Sequence, residues 1–134
     1  MSGRPGRVVS VSRNVAVDCA DAHGLARFWS GVTGRPPHPE ARPGERETQV
    51  LSTEGPVPHF DQVPEAKTVK NRVHLCSRPE TSRDQEAERL PGLGASFVAD
   101  HRNPDGSGWV ILADPEGNGF CVLRGESDRA AMDS

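Results

Sequence analysis

Two histidines and one cysteine in this chain carry side chains suited to a reactive centre. His59 and His74 offer imidazoles, whose ordinary pKa near neutrality fits a general base. Cys121 could serve as a nucleophile with His74 as its activating base, an arrangement used in covalent catalysis. The plainer reading makes Cys121 a small buried hydrophobe and His74 a histidine satisfied by its neighbours. Serine chemistry has no support, because no G-x-S-x-G stretch is present. Gly92, Gly94, Gly106 and Gly108 lack the strand-glycine-helix order of a phosphate-cradling loop. Cys19, Cys76 and Cys121 are an odd number at wide spacing, with no C-x-x-C pair, and read as reduced thiols. Trp109 follows Gly106-Ser-Gly and presents a flat indole for stacking on a planar or sugar-like ligand. Lys67, Lys70 and Arg72 precede His74, either as an exposed linker or as an anion-capturing cluster.

These side chains need elements to hold them. Val11 to Cys19 alternates apolar and polar residues with the period of a strand. Asp21 stands where an N-cap is wanted, and Leu25, Phe28, Trp29 and Val32 recur at helical spacing up to Gly34. Arg35 to Arg46 is rich in proline and charge and reads as an exposed connection. Thr48 to Thr53 and Pro58 to Val63 follow as short strands, which places His59 at a strand start, in position to line a pocket rim. Arg72 to Cys76 begins a second series as a strand, with a helix over Ser82 to Leu93 that Pro91 should end early or distort. Ser96 to Asp100, Trp109 to Ala113 and Phe120 to Arg124 complete it, joined by the turn sequences Asn103-Pro-Asp-Gly and Asp114-Pro-Glu-Gly-Asn.

Composition narrows the class. The 134 residues suffice for one domain of ordinary size. With 16 basic and 19 acidic residues the net charge is −3, which lacks the basic surplus that nucleic acid attracts. No apolar run approaches the roughly 20 residues of a membrane span, and the first residues lack a signal-peptide core, so a cytoplasmic protein is expected. Residues 1–9 and 126–134 are expected to be flexible, leaving one domain over 10–125.

Sliding the chain against itself by 60 residues aligns Asn14 with His74, Gly34 with Gly94, Val50 with Val110, Leu51 with Ile111 and Phe60 with Phe120. One register and a recurring element order argue for a duplication, with modules of about 10–66 and 70–125. Two strand-helix-strand units, each too small to bury its own sheet face, gain stability by completing a shared sheet.

The segments Asn14-Val-Ala-Val-Asp-Cys-Ala-Asp, Leu25-Ala-Arg-Phe-Trp with Gly34, Val63-Pro-Glu-Ala-Lys-Thr-Val-Lys-Asn-Arg-Val-His-Leu and Leu112-Ala-Asp-Pro-Glu-Gly-Asn-Gly-Phe-Cys-Val-Leu together resemble the glyoxalase-like branch of the vicinal oxygen chelate superfamily. That superfamily includes glyoxalase I, extradiol dioxygenases, and fosfomycin- and bleomycin-resistance proteins. The resemblance implies an α+β fold of two βαβββ modules forming a cupped mixed sheet around a pocket, commonly as a homodimer. Metal enzymes of this kind place a His on the first strand and a Glu near the end of the last strand of each module. The corresponding positions here read Asn14, Asp61, His74 and Cys121, so that set is degenerate.

Neutral Asn is a poor donor for divalent metals, and no tightly held cofactor is expected. The alternative is a divalent metal on an oxygen, nitrogen and sulfur triad of Asp61, His74 and Cys121. Gln62 could face the pocket in place of Asp61, since a one-residue slip exchanges faces. The expected partner is a small organic ligand, met by Asn14, His59, Asp61, Gln62, His74, Trp109 and Cys121, with His74 as the candidate catalytic group. Enzyme readings are a lyase, isomerase or dioxygenase; a third reading is sequestration of an antibiotic.

Overall fold

Residues 8–133 are described by a computed structural model. The first module begins with β1 (Asn14–Cys19), whose alternation places Val15, Val17 and Cys19 toward the core and leaves Asn14, Ala16 and Asp18 exposed. Helix α1 (Ala22–Thr33) starts where Asp21 accepts a hydrogen bond from the Gly24 amide, and stops at Gly34. The Gly34 φ of 71° is a left-handed C-cap conformation that only glycine adopts without strain. Strands β2 (Glu47–Gln49) and β3 (Val57–Gln62) complete a three-stranded sheet in the order β1-β3-β2, with β1 parallel and β2 antiparallel to β3.

The proline-rich connection carries one isolated bridge, Pro37 to Val50. It stands where a βαβββ module has its second strand. Proline removes the ladder donor, so a full strand cannot form there.

The second module has all four strands. β4 (Cys76–Ser77) lies parallel to β7 (Gly119–Val122), and β6 (Gly108–Ala113) pairs antiparallel with both β7 and β5 (Ser96–Arg102). Helix α2 (Arg83–Arg89) is capped by a reciprocal Ser82 and Gln85 box. It passes into a 3-10 turn over Leu90–Leu93 at Pro91, the distortion that residue implied.

The two βαβββ-like modules of the expected α+β fold are present, and only the expectation that they complete a shared sheet is corrected. The strands form two mixed sheets, with no pairing between β1 and β4 among the described residues. β4 is only two residues long, so it offers little ladder to share, and the predicted strand over 72–76 is mostly absent.

Strand register also corrects the internal alignment. Asp61 pairs with Asp18 in the first module and Cys121 with Cys76 in the second. Asp61 and Cys121 keep the 60-residue shift, whereas the first strands slip by two, so His74 corresponds to Ala16 and not to Asn14.

One core unites the modules. The aromatic rings of Phe28 and Trp29 on α1 pack edge-on against each other at 5.4 Å and against Phe120 of β7 at 6.1 and 4.9 Å. Phe60 and Phe120, matched by the duplication, are both fully buried. Fully burying side chains of this kind contributes roughly 1.5–3 kcal/mol each.

The Asp114-Pro-Glu-Gly-Asn turn fastens the second module onto the first. Buried Asp114 accepts hydrogen bonds from the Glu116 and Asn118 amides, the Asn118 side chain and the Trp29 indole. The Glu116 carboxylate accepts from the Ala20 and Asp21 amides at 2.6 and 2.9 Å, at the entry to α1. An anion is favoured at that helix end.

Within the stretch 126–134, expected to be flexible, Glu126–Asp133 forms helix α3. Asp128 anchors it by accepting from the Arg83 and Gly125 amides at 2.7 Å. Residues 1–7 of the expected flexible N-terminus lie outside the described residues. No helix among the described residues is long and apolar enough to cross a membrane.

Candidate ligand-binding site

Each sheet turns one face toward the shared core and leaves the other open. On the first sheet the alternation of β1 and β3, fixed by Ala16 opposite His59 and Asp18 opposite Asp61, gathers Ala16, Asp18, His59 and Asp61 on the open face. Glu47 joins them from β2, directly opposite Asp61. His59 Nε2 lies 3.0 Å from Asp61 Oδ1 and 3.7 Å from Glu47 Oε2. An ionised carboxylate can only accept, so this nitrogen carries the proton in the His59–Asp61 bond. Phe60 points to the core, and Gln62 follows the same parity, which settles the register in favour of Asp61.

The open face of the second sheet has different chemistry. The potential ligand atoms of His74, Cys76 and Cys121 all lie within 4.8 Å of one another. Cys121 is 6% exposed. Burial pushes its thiol up, the neighbouring Cys76 adds to the effect, and Lys70 opposes it. A nucleophile requires the opposite displacement, so burial works against Cys121 as an activated nucleophile with His74 as base. Trp109, 41% exposed, stacks on His101 at 5.2 Å, so one indole face is already covered.

The four positions matching the metal set do not converge. Asn14 pairs with Val57 at the far end of β1 from the Asp18–Asp61 level, a separation of roughly 13 Å along a strand. Asp61 groups with Glu47 and His59, while Cys121 groups with His74 and Cys76. A divalent ion needs its donors around one point, and the Asp61, His74 and Cys121 triad does not supply that. The residues present do not fit the superfamily's metal, and no chemistry is routed through it.

Between the sheets, where β1 runs beside segment 71–75 and the turn at 114–119, lies a cleft of about 290 Å³. Ala16, Asp18, Asn71, His74, Asn118 and Phe120 line it. Asn71 donates to the Asn118 side chain at 2.8 Å, and Asn118 donates to buried Asp114, so the polar wall is held by the clamp between modules. Of the sequence-predicted residues only His74 lines this cleft. His59 and Asp61 sit together on the adjoining face, Cys121 sits beside His74, and Asn14, Gln62 and Trp109 lie apart from these groups.

A larger groove of about 940 Å³ runs between the end of α1, the β2–β3 loop and segment 77–81. Its three arginines are already engaged: Arg89 with Glu86, Arg35 with Thr53, and Arg78 with the Arg124 carbonyl. Volume favours the groove, but available chemistry favours the smaller cleft. Cys76, Glu47, Asn71 and Asn118 were missed as site residues. For Cys76 the signal was present, because residues two apart on a strand share a face, and His74 precedes it by two.

The profile of the glyoxalase-like domain family matches residues 14–123. The fold is similar to that of protein ATC0852 from Agrobacterium tumefaciens, at 15% identity and a TM-score of 0.68, covering 87% of this chain and 98% of that one. It is similar to the fosfomycin resistance protein FosX from Mesorhizobium loti, at 18% identity and a TM-score of 0.64, covering 93% and 99%. A glyoxalase-related enzyme from Fulvimarina pelagi shares 21% identity with a TM-score of 0.61, covering 86% and 88%. No curated protein matched the chain.

Proposed function

The chain belongs to the glyoxalase-like domain family, and from that premise we propose that it binds a small organic molecule in the cleft between its two modules, without the metal chelate of the superfamily's enzymes. The observation that carries this reading is the convergence of Asn71, Asn118 and His74 on a concave seam beside Ala16 and Phe120: a few polar groups on a partly apolar wall. Asn71 and Asn118 supply both donors and acceptors, which suits a neutral or weakly acidic ligand carrying carbonyl or hydroxyl groups. Val69 and Val73, 75% and 82% exposed beside the seam, support a homodimer that covers them. Free thiols at all three cysteines fit the reducing cytoplasm.

A thermal-shift screen of small organic acids, ketones and sugars tests the reading. A ligand at one hundred times its Kd is expected to stabilise the native state by about 2.7 kcal/mol. That gain disappears in Ala16→Phe, which fills the cleft from the exposed face of β1. Binding that survives Ala16→Phe but is lost in Glu80→Ala would move the site to the larger groove.

The His59–Asp61 pair favours a second reading, a metal-free enzyme in which Asp61 orients the His59 imidazole as general base. Turnover of a bound ligand that His59→Gln abolishes while binding persists would establish it. Antibiotic sequestration has less support, since only two large aromatics, Phe97 and Trp109, are exposed among the described residues, and Trp109 is already stacked on His101.

A further inference from the structure

The thiols of the second module lie in an arrangement the superfamily's metal set does not use. Cys76 and Cys121 are direct register partners in the parallel pair β4–β7. The ladder on either side is closed by Cys121 N–H to Leu75 O at 2.9 Å and Leu123 N–H to Ser77 O at 2.8 Å, which fixes both backbones. His74 precedes Cys76 by two residues and joins both sulfurs within 4.8 Å.

We propose that His74, Cys76 and Cys121 form a three-ligand zinc site whose fourth position opens toward the cleft between the modules. Cys76 lies outside the four positions matching the superfamily's chelate, and Asn14 and Asp61 of those four lie outside this site. Two sulfurs and one imidazole make a borderline-soft donor set that selects zinc over magnesium, calcium or manganese. Three protein ligands with an open fourth position are the arrangement of catalytic zinc, whereas structural zinc is closed by four.

Tetrahedral bonds of about 2.3 Å to sulfur and 2.0 Å to nitrogen put ligand atoms roughly 3.4–3.8 Å apart. The present separations close to that range by side-chain movements on the order of 1 Å. Exposed His74 and Cys76 can move toward buried Cys121. On binding, both thiols release their protons to solvent and each sulfur donates a lone pair to the ion. The Glu47, His59 and Asp61 group offers mainly carboxylate oxygen and is the internal control. The proposal stands apart from the organic-ligand reading, since the cleft can bind with or without the ion.

The test uses the full chain kept reduced with a phosphine, titrated with zinc against a chromophoric chelator and with cobalt as a spectroscopic substitute. One equivalent of zinc per chain is expected, together with thiolate-to-cobalt charge-transfer bands. Cys76→Ser is expected to weaken zinc binding by at least roughly tenfold, and Asp61→Asn to leave it unchanged. Cys76 is exposed, so Cys76→Ser keeps the fold, which circular dichroism checks; buried Cys121→Ser serves as the second variant. Absence of the charge-transfer bands in the reduced chain overturns the proposal. So does wild-type zinc affinity in Cys76→Ser, or manganese binding as tight as zinc that Asp61→Asn removes.

Discussion

The two modules follow one βαβββ-like plan and complete different halves of it. The first has a long, well-capped helix but lacks its second strand, which the Pro37–Val50 bridge replaces. The second has every strand but a helix of seven residues and a first strand of two. Their open faces diverge as well: oxygen donors around His59 on one, sulfur donors around His74 on the other. Buried positions, by contrast, repeat closely, Phe60 with Phe120 and Val50 with Val110. Core positions are held by packing density, where a changed volume is felt at once, whereas an exposed strand face tolerates new chemistry.

Removing the shared aromatic contact tests how far the modules are one unit. Trp29→Ala is expected to cost about 3–5 kcal/mol, the usual range for a buried large aromatic. Although Trp29 belongs to the first module, urea unfolding should remain a single transition, with amide protection falling in β6 and β7 as well. Two transitions would show that the modules unfold separately.

The clamp gives the next effect. Asp114→Ala leaves the Trp29 indole and the amides of Glu116 and Asn118 without their acceptor, and a loss of roughly 1–3 kcal/mol in chemical denaturation is expected. The counterpart Glu54→Ala in the first module, whose side chain is exposed, should change stability by no more than about 0.5 kcal/mol. Equal losses would abolish the asymmetry.

The caps sharpen the helix comparison. Asp21→Ala and Ser82→Ala are each expected to cost about 1 kcal/mol, because both remove an acceptor from a first-turn amide.

Thiol titration separates the modules at the smallest scale. Burial first, then the neighbouring carboxylates of Glu116, Asp21, Asp61 and Asp18, push the Cys19 thiol from 9.0 up to about 12. Between those values the unfolded chain has released this proton and the folded chain has not, so the folded state binds more protons and stability falls as pH rises. Below the unfolded pKa the contribution is fully present. Denaturant midpoints at pH 8 and pH 10.5 should therefore diverge more in the native chain than in Cys19→Val. At pH 8, exposed Cys76 should be alkylated first and Cys19 last, as mass spectrometry of the labelled peptides would show.

Much of this architecture was legible because periodicity and capping are local. Asp21, Gly34, Ser82 and Pro91 marked helix ends that the structure keeps. The family resemblance and the duplication were readable for the same reason, since one register persisted through Gly34–Gly94 and Phe60–Phe120. What escaped was set by pairing across the chain. The two-residue slip of the first strands depends on which residue of β4 meets Cys121, and no local pattern encodes that. The segregation of Asp61 from His74 and Cys121 follows from the same non-local register. Asp114-Pro-Glu-Gly-Asn was recognisable as a turn, but its grip on Trp29, Ala20 and Asp21 required the modules to be docked.

The bond from the Trp29 indole to Asp114 gives the molecule an optical consequence. Trp29 borders the cleft and connects through Asp114 and Asn118 to Asn71 on its wall. A guest that draws Asn71 or Asn118 toward itself alters the electrostatic surroundings of that fluorophore. Emission from the only other tryptophan, Trp109, supplies a nearby reference on the same chain. Occupancy can thus be followed without a dye, and Trp109→Phe would isolate the reporting signal.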